Sequence, residues 1–277
     1  MPDAVKTAMP KAVVATALPP SAADVRFRKL RRFNAAMGLL HLIQGALMVF
    51  LSNSFSLPIQ LTVLKFDPVS ETIAPVTQVL FRLWIGLAVA SFLFISAVAH
   101  FLVASPWGYP SYVRNLQKGI NYFRWYEYAL SSSVMIVIIG LLVGIYELGT
   151  LILLFGLNAS MNLFGLMMEL HNQTTKKTNW TAFAFGSFAG FIPWLVIGIS
   201  FFGAAFASGA SIPTFVIFIF VSLAAFFNIF PINMILQYKR IGKWRDYLYG
   251  ERVYVILSLV AKSLLAWQVF AGTLRGA

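Results

Sequence analysis

The sequence predicts an all-α membrane protein, a seven-transmembrane-helix bundle, on three observations. The 277-residue chain is 59% hydrophobic and only 11% charged, too apolar for a soluble domain. Seven apolar segments follow one another, each near the roughly 20 residues that a bilayer core requires. The basic residues gather in alternate connections, as a polytopic membrane topology demands. The 26 Phe and seven Trp suit lipid-facing and ligand-lining surfaces. The absence of cysteine removes disulfides, haem thiolates and cysteine metal sites. The three histidines, at 41, 100 and 171, lack the i, i+4 spacing of a helical zinc motif.

Residues 1–33 are rich in Ala, Pro and charge, with no apolar stretch long enough for a signal-peptide core. Met1–Ala23 reads as a disordered tail and Asp24–Arg32 as a basic lead-in, so the membrane domain covers residues 24–277. The spans are expected at Phe33–Leu51, Val79–Val103, Ile120–Ile145, Leu148–Met168, Trp180–Phe206, Ile212–Leu236 and Val253–Thr273. Most linkers are short. The exception, Ser52–Gln78, contains Ile59-Gln-Leu-Thr-Val63, whose alternation of apolar and polar residues signals a strand. A small β-hairpin over one end of the bundle is therefore expected in the first outer loop. The third span is the least apolar, with Asn121, Arg124, Glu127 and Ser131-Ser132-Ser133, and should face the bundle interior. No internal repeat is evident, which weakens an inverted-repeat transporter.

One side of the membrane receives Arg26, Arg28, Lys29, Arg31, Arg32, Arg114, Lys118, Lys176, Lys177, Lys239, Arg240, Lys243, Arg245 and Arg252. The other receives only Lys65, Arg82 and Arg275. The positive-inside rule then puts the amino terminus in the cytoplasm and the carboxyl terminus outside. The net charge of +12 is explained by topology, and nucleic-acid binding need not be invoked.

The chemistry points to Lys262, in the middle of the last apolar segment. An ammonium at mid-membrane costs about 2.5–3.5 kcal/mol on insertion scales, so it persists when paired, hydrated or chemically used. Glu127 reads as the one deep acidic partner. It lies about seven residues into span three, and Lys262 about nine into span seven, so at about 1.5 Å per residue their depths agree. A buried lysine with a buried carboxylate suggests a Schiff base: an aldehyde on the amine and a counterion beside it. Ser258 precedes Lys262 by one turn, and Ser131 follows Glu127 by one turn, each on the same face. His41 and His100 fall in the same half of the membrane. Two readings compete: Glu127 could pair with Arg124 on its own helix, and the three serines could serve helix packing.

Seven spans, a carboxylate in span three and a lysine in span seven resemble microbial rhodopsins. The strings Arg124-Trp-Tyr-Glu127-Tyr-Ala-Leu-Ser-Ser-Ser133 and Ser258-Leu-Val-Ala-Lys262, with the inward amino terminus and long first outer loop, resemble heliorhodopsins over residues 25–275. The resemblance implies all-trans retinal on Lys262 as a protonated Schiff base, with Glu127 as counterion. It also implies a polar cavity of Ser258, Ser131, His41, His100 and Ser96, and a polyene and ring pocket including Met161, Leu223, Phe226 and Asn233.

Proton-pumping rhodopsins carry a second acid four residues before the lysine and a carboxylate about three turns after the counterion. Those positions hold Ser258 and Ile138. With one internal carboxylate, vectorial proton transfer lacks a second station, which favours a light sensor, working as a homodimer with an unknown signalling partner. A light-gated proton channel and a retinal-free transporter with a Lys–Glu pair are the alternatives. An enzyme is not expected, because no nucleophile–base or metal constellation is present.

Overall fold

The computed structural model describes residues 20–207 and 213–274. Seven helices are long and apolar enough to cross a membrane. They are α1 (Pro20–Leu51), α2 (Ile85–Ala104), α4 (Tyr122–Leu142), α5 (Leu148–His171), α6 (Thr181–Ala207), α7 (Thr214–Tyr238) and α8 (Tyr247–Val269). A five-residue π-helical turn, Phe270–Leu274, extends α8. The expected tail lies outside the described residues up to position 19, and Pro20–Ala23 already belong to α1.

The expected hairpin is present but larger than its sequence signal. Strands β1 (Ser56–Asp67) and β2 (Thr72–Trp84) pair antiparallel from Ser56↔Trp84 to Asp67↔Thr72, with an irregularity at Ile59/Gln60. Val79–Trp84, expected to begin the second span, are strand instead. Their run is apolar enough for a helix, but pairing with β1 satisfies their backbone groups outside the bundle. The hairpin root is fixed by buried Ile59 and by Gln60 N donating to Tyr146 O at 2.8 Å.

A second departure is α3 (Gly108–Gln117), a short helix between α2 and α4 that buries Tyr112 and Leu116. It packs with Phe27, Leu30, Val103 and Leu248 in a small core. This core lies at the end of the bundle where α1 begins, α2 ends and α8 begins. That is where the Arg and Lys side chains of the connections gather, and it is called the basic end below. The main core occupies the opposite half, built from residues such as Val89, Phe92, Leu93, Ile138, Ile139, Leu265 and Val269.

Helix starts follow local chemistry. Asn121 Oδ1 accepts from Arg124 N at 3.1 Å to cap α4, Glu147 Oε2 accepts from Thr150 N at 2.7 Å to cap α5, and Asp246 Oδ1 accepts from Leu248 N at 3.1 Å to cap α8. The Asp246 cap starts α8 six residues before the expected Val253. Gly119 and Gly144, at φ +75° and +90°, make the turns on either side of α4.

Helix α1 packs along α2, α2 on α4, α4 on α5, α5 on α6, and α7 on α8. Between α6 and α7 the contact runs through aromatic rings: Trp194 meets Phe227 and Phe220, and Phe201 stacks on Phe220 at 4.6 Å. Pro193 and Pro231 sit inside these two helices, each removing a backbone hydrogen bond. The wide spacing leaves room for a cavity between α4, α5, α6, α7 and α8.

Candidate functional site

Lys262 Nζ lies 2.9 Å from Glu127 Oε1 and donates to Ser258 Oγ at 2.6 Å. Ser96 Oγ donates to the same Glu127 oxygen at 2.6 Å. The side chains of Lys262 and Glu127 are 3% and 7% exposed, so their pairing replaces water for both. The Tyr128 ring presents its face 5.2 Å from Nζ, a further cation-stabilising contact. Ser131, one turn beyond Glu127, is fully buried.

His41 is fully buried with neither ring nitrogen hydrogen-bonded. It stacks on His100 at 5.5 Å with an 11° angle between the rings. His100 Nδ1 lies 2.8 Å from Asn34 Oδ1, while Asn34 Nδ2 donates to Leu30 O. That arrangement makes Asn34 Oδ1 the acceptor and puts the proton on His100 Nδ1. His100, Glu127, Ser258 and Arg124 share a small cavity of about 40 Å³, space on the order of one water.

A larger cavity of about 310 Å³ opens on the other side of Lys262. Its walls include Trp125, Tyr128, Met161, Phe183, Trp194, Phe227, Phe230 and Tyr254. Its volume falls at the low end of ligand pockets. Gly190 lets Met161 form the wall, since an added Cβ would sit 2.2 Å from Met161 Sδ.

Of the four pocket residues expected from resemblance, Met161 lines this cavity. Leu223, Phe226 and Asn233 do not. On α7 the lining residues are Phe227, Asn228, Phe230, Pro231 and Met234. One residue of register turns a helix by about 100°, which takes Phe226 and Asn233 off that face. Leu223, a turn further along, is buried in the main core. Asn233 instead accepts from Trp244 Nε1 at 2.6 Å and donates to Gly250 O at 3.3 Å. The spacing Phe227, Phe230/Pro231, Met234 was the available helical signal.

Glu127 is not the only buried carboxylate. Glu169 and Glu251 are 2% and 1% exposed, and both pair with Arg124. Arg124 therefore turns away from Glu127, and the same-helix pairing does not form. Glu169 Oε2 also accepts from Asn121 N at 2.9 Å and Trp125 Nε1 at 2.7 Å, and Glu251 Oε2 accepts from Asn121 Nδ2 at 2.7 Å. Hydropathy left Glu169 and Glu251 just outside the expected spans. A local clue existed: Arg124 stands in the first turn of α4 and Glu169 in the last turn of α5, each against its helix dipole. Such placements need a tertiary partner. Asn158 and Asn162 on α5 were also missed. They donate to Ser132 and Ser133 at 2.8–3.0 Å, so two of the three serines tie α4 to α5.

The fold and site together make a seven-helix membrane bundle with a buried lysine, a paired carboxylate and an adjoining aromatic cavity. The heliorhodopsin family profile matches residues 30–274, and the chain belongs to the heliorhodopsin family. No curated protein matches it. The family is one of retinal-based light-sensing rhodopsins, photoreceptors rather than enzymes. The residues fit retinal: an amine to take an aldehyde, a carboxylate to balance the charge, and aromatic walls for a polyene.

Proposed function

We propose that Lys262 carries all-trans retinal as a protonated Schiff base, that Glu127 is its counterion, and that the protein senses light without pumping ions. The observation that carries this reading is the Lys262–Glu127 pair, 2.9 Å apart, at the wall of the 310 Å³ aromatic cavity. Bound retinal supplies light absorption and a double-bond isomerisation. The protein supplies the rest. Lys262 anchors one end, Ser258 and Ser96 orient the charges, and the aromatic walls exclude water. Glu127 Oε1 is placed to accept a proton that leaves Nζ, with its other contact to Ser96 already made. His41 and His100 offer further acceptor nitrogens on the same side.

The distribution of polar groups supports sensing over transport. From Lys262 and Glu127 toward the hairpin end, the spans carry no Asp, Glu, His, Lys or Arg among the described residues. Ile138 lies fully buried in the apolar core there. A proton therefore lacks a station toward that side. Glu169 and Glu251 are additional carboxylates, but they lie toward the basic end, held by Arg124. The same apolar half argues against the proton channel, and the family match argues against a retinal-free transporter.

The positive-inside rule supports a cytoplasmic basic end, which puts the amino terminus inside and the hairpin outside. Single cysteines at Ser21 and Gly276 should then label from the cytoplasm and the outside respectively. The hairpin supports a homodimer: Leu64, Phe66, Ile73, Val79 and Phe81 are all more than half exposed, and an isolated two-stranded hairpin is marginal in water. A signalling partner completes the reading.

The decisive experiment is the visible spectrum of purified protein with added all-trans retinal, joined to pH and voltage-clamp recordings of illuminated cells. A hydroxylamine-sensitive pigment with neither an uncoupler-sensitive pH change nor a photocurrent is expected. A colourless protein overturns the retinal site, a sustained current without gradients restores a pump, and a current reversing with the proton gradient restores the channel.

A further inference from the structure

Trp125 lies between the aromatic cavity and the Arg124 cluster and touches both. Its ring is a cavity wall. Its Nε1 donates to Glu169 Oε2 at 2.7 Å. The Arg124 guanidinium lies 4.5 Å from the Trp125 ring centre and 4.0 Å from that of Tyr254, a second cavity wall. The ring has little slack, because α5 approaches it at Gly165, where an added Cβ would sit 2.2 Å from Trp125 Cζ3.

We propose that Trp125 is the positioning residue through which a change of shape in the cavity reaches the Arg124–Glu169–Glu251 cluster and loosens the basic ends of α4, α5 and α8. The inference rests on the retinal reading above. Three physical points carry it. A ring packed against a backbone moves as a body, so pressure from the cavity displaces Nε1 as well. Hydrogen bonds weaken steeply with misalignment, and a buried carboxylate that loses a donor is left undersatisfied. Finally, Arg124 and Glu169 oppose their own helix dipoles, so each is held at its helix end by tertiary contacts that this displacement disturbs. Packed interfaces switch between discrete arrangements by helix shifts of about 1–2 Å.

The test uses Trp125→Phe, which keeps a ring in the wall and removes the donor. The cysteine-free chain accepts spin labels at Lys176→Cys and Lys243→Cys, both exposed, in the connections that follow α5 and precede α8. Distances are read by electron–electron double resonance on samples frozen in the dark and under illumination. With Trp125 present, illumination should shift the distance by about 1–2 Å or more. In Trp125→Phe, with the pigment formed counted from its own visible absorbance, the light-induced shift should vanish. Without retinal, Trp125→Phe should broaden the distance distribution relative to Trp125. Gly165→Ala, which pushes the ring without light, should move the dark distance toward the illuminated one. An undiminished light-induced shift in Trp125→Phe overturns the proposal, as does no shift with Trp125 present. If neither protein binds retinal, the retinal reading fails by itself, and equal retinal-free distributions then overturn the coupling separately.

Discussion

Arg124 and Glu127 stand three residues apart on α4, yet each answers to different partners and for a different end. Glu127 faces one lysine, at the wall of a cavity and beside a pocket with room for water. Arg124 faces two carboxylates whose remaining oxygens are taken by Asn121 and Trp125. The first arrangement is one-to-one and open to a ligand, so its charge can be chemically altered without unpicking the fold. The second ties α4, α5 and α8 together through two carboxylates, so it changes only if a helix moves, although Arg124 borders the same small pocket as Glu127. Burial alone does not separate the two, since every member is buried. The difference lies in how many partners, from how many helices, each charge holds.

The sharpest test of that contrast is Lys262→Ala, which should abolish the pigment entirely while leaving the contacts of the Arg124 cluster in place. A hydroxylamine-sensitive pigment in the variant would reassign the attachment. Next in size is Arg124→Gln, which leaves Glu169 and Glu251 buried without their cation. Removing one partner of such a group costs about 3–5 kcal/mol, read as a large fall in the thermal midpoint of the detergent-solubilised protein. Adding Glu169→Gln and Glu251→Gln should recover part of it, because the unpaired charges are then gone. If Arg124→Gln is as stable as the parent, the cluster does not tie the three helices together.

Glu127→Gln should act on colour more than on stability. With the countercharge removed, the protonated pigment should absorb further to the red, and a larger share of unprotonated, shorter-wavelength pigment should be present at neutral pH. An unchanged spectrum and titration would move the counterion role to another group. The smallest effect belongs to Glu147, distant from both sites. The backbone N–H of Thr150, then that of Gly149, hold its carboxyl below the ordinary value. A lowered folded-state value means that its contribution is present above the ordinary carboxylate range, near pH 4.3, and is lost as the pH falls through the lowered value. Glu147→Gln should therefore flatten the acid side of the stability profile slightly, with no change in colour. A colour change would link this cap to the pigment.

Much of this architecture was legible in the chain. Hydropathy and length are local properties, so seven spans and their order follow from the residues themselves, and Lys262 and Glu127 stand out because a charge amid apolar neighbours has no local justification. Matched depths point to their partnership, although α8 begins six residues before the expected Val253. Alternation in Ile59–Val63 announced the hairpin, but not its length, because Val79–Trp84 are compatible with either helix or strand and only pairing with β1 decides.

What the sequence alone determined is thus the class of protein, its membrane spans and the residue types able to hold a charged chromophore. Tertiary structure decided the rest. It turned Arg124 toward Glu169 and Glu251, aimed Phe227 rather than Phe226 into the cavity, and set Trp125 between cavity and cluster. The physical reason is that hydrophobicity is summed along the chain, whereas charge pairing and cavity lining depend on rotation about each helix axis and on contacts between helices far apart in sequence.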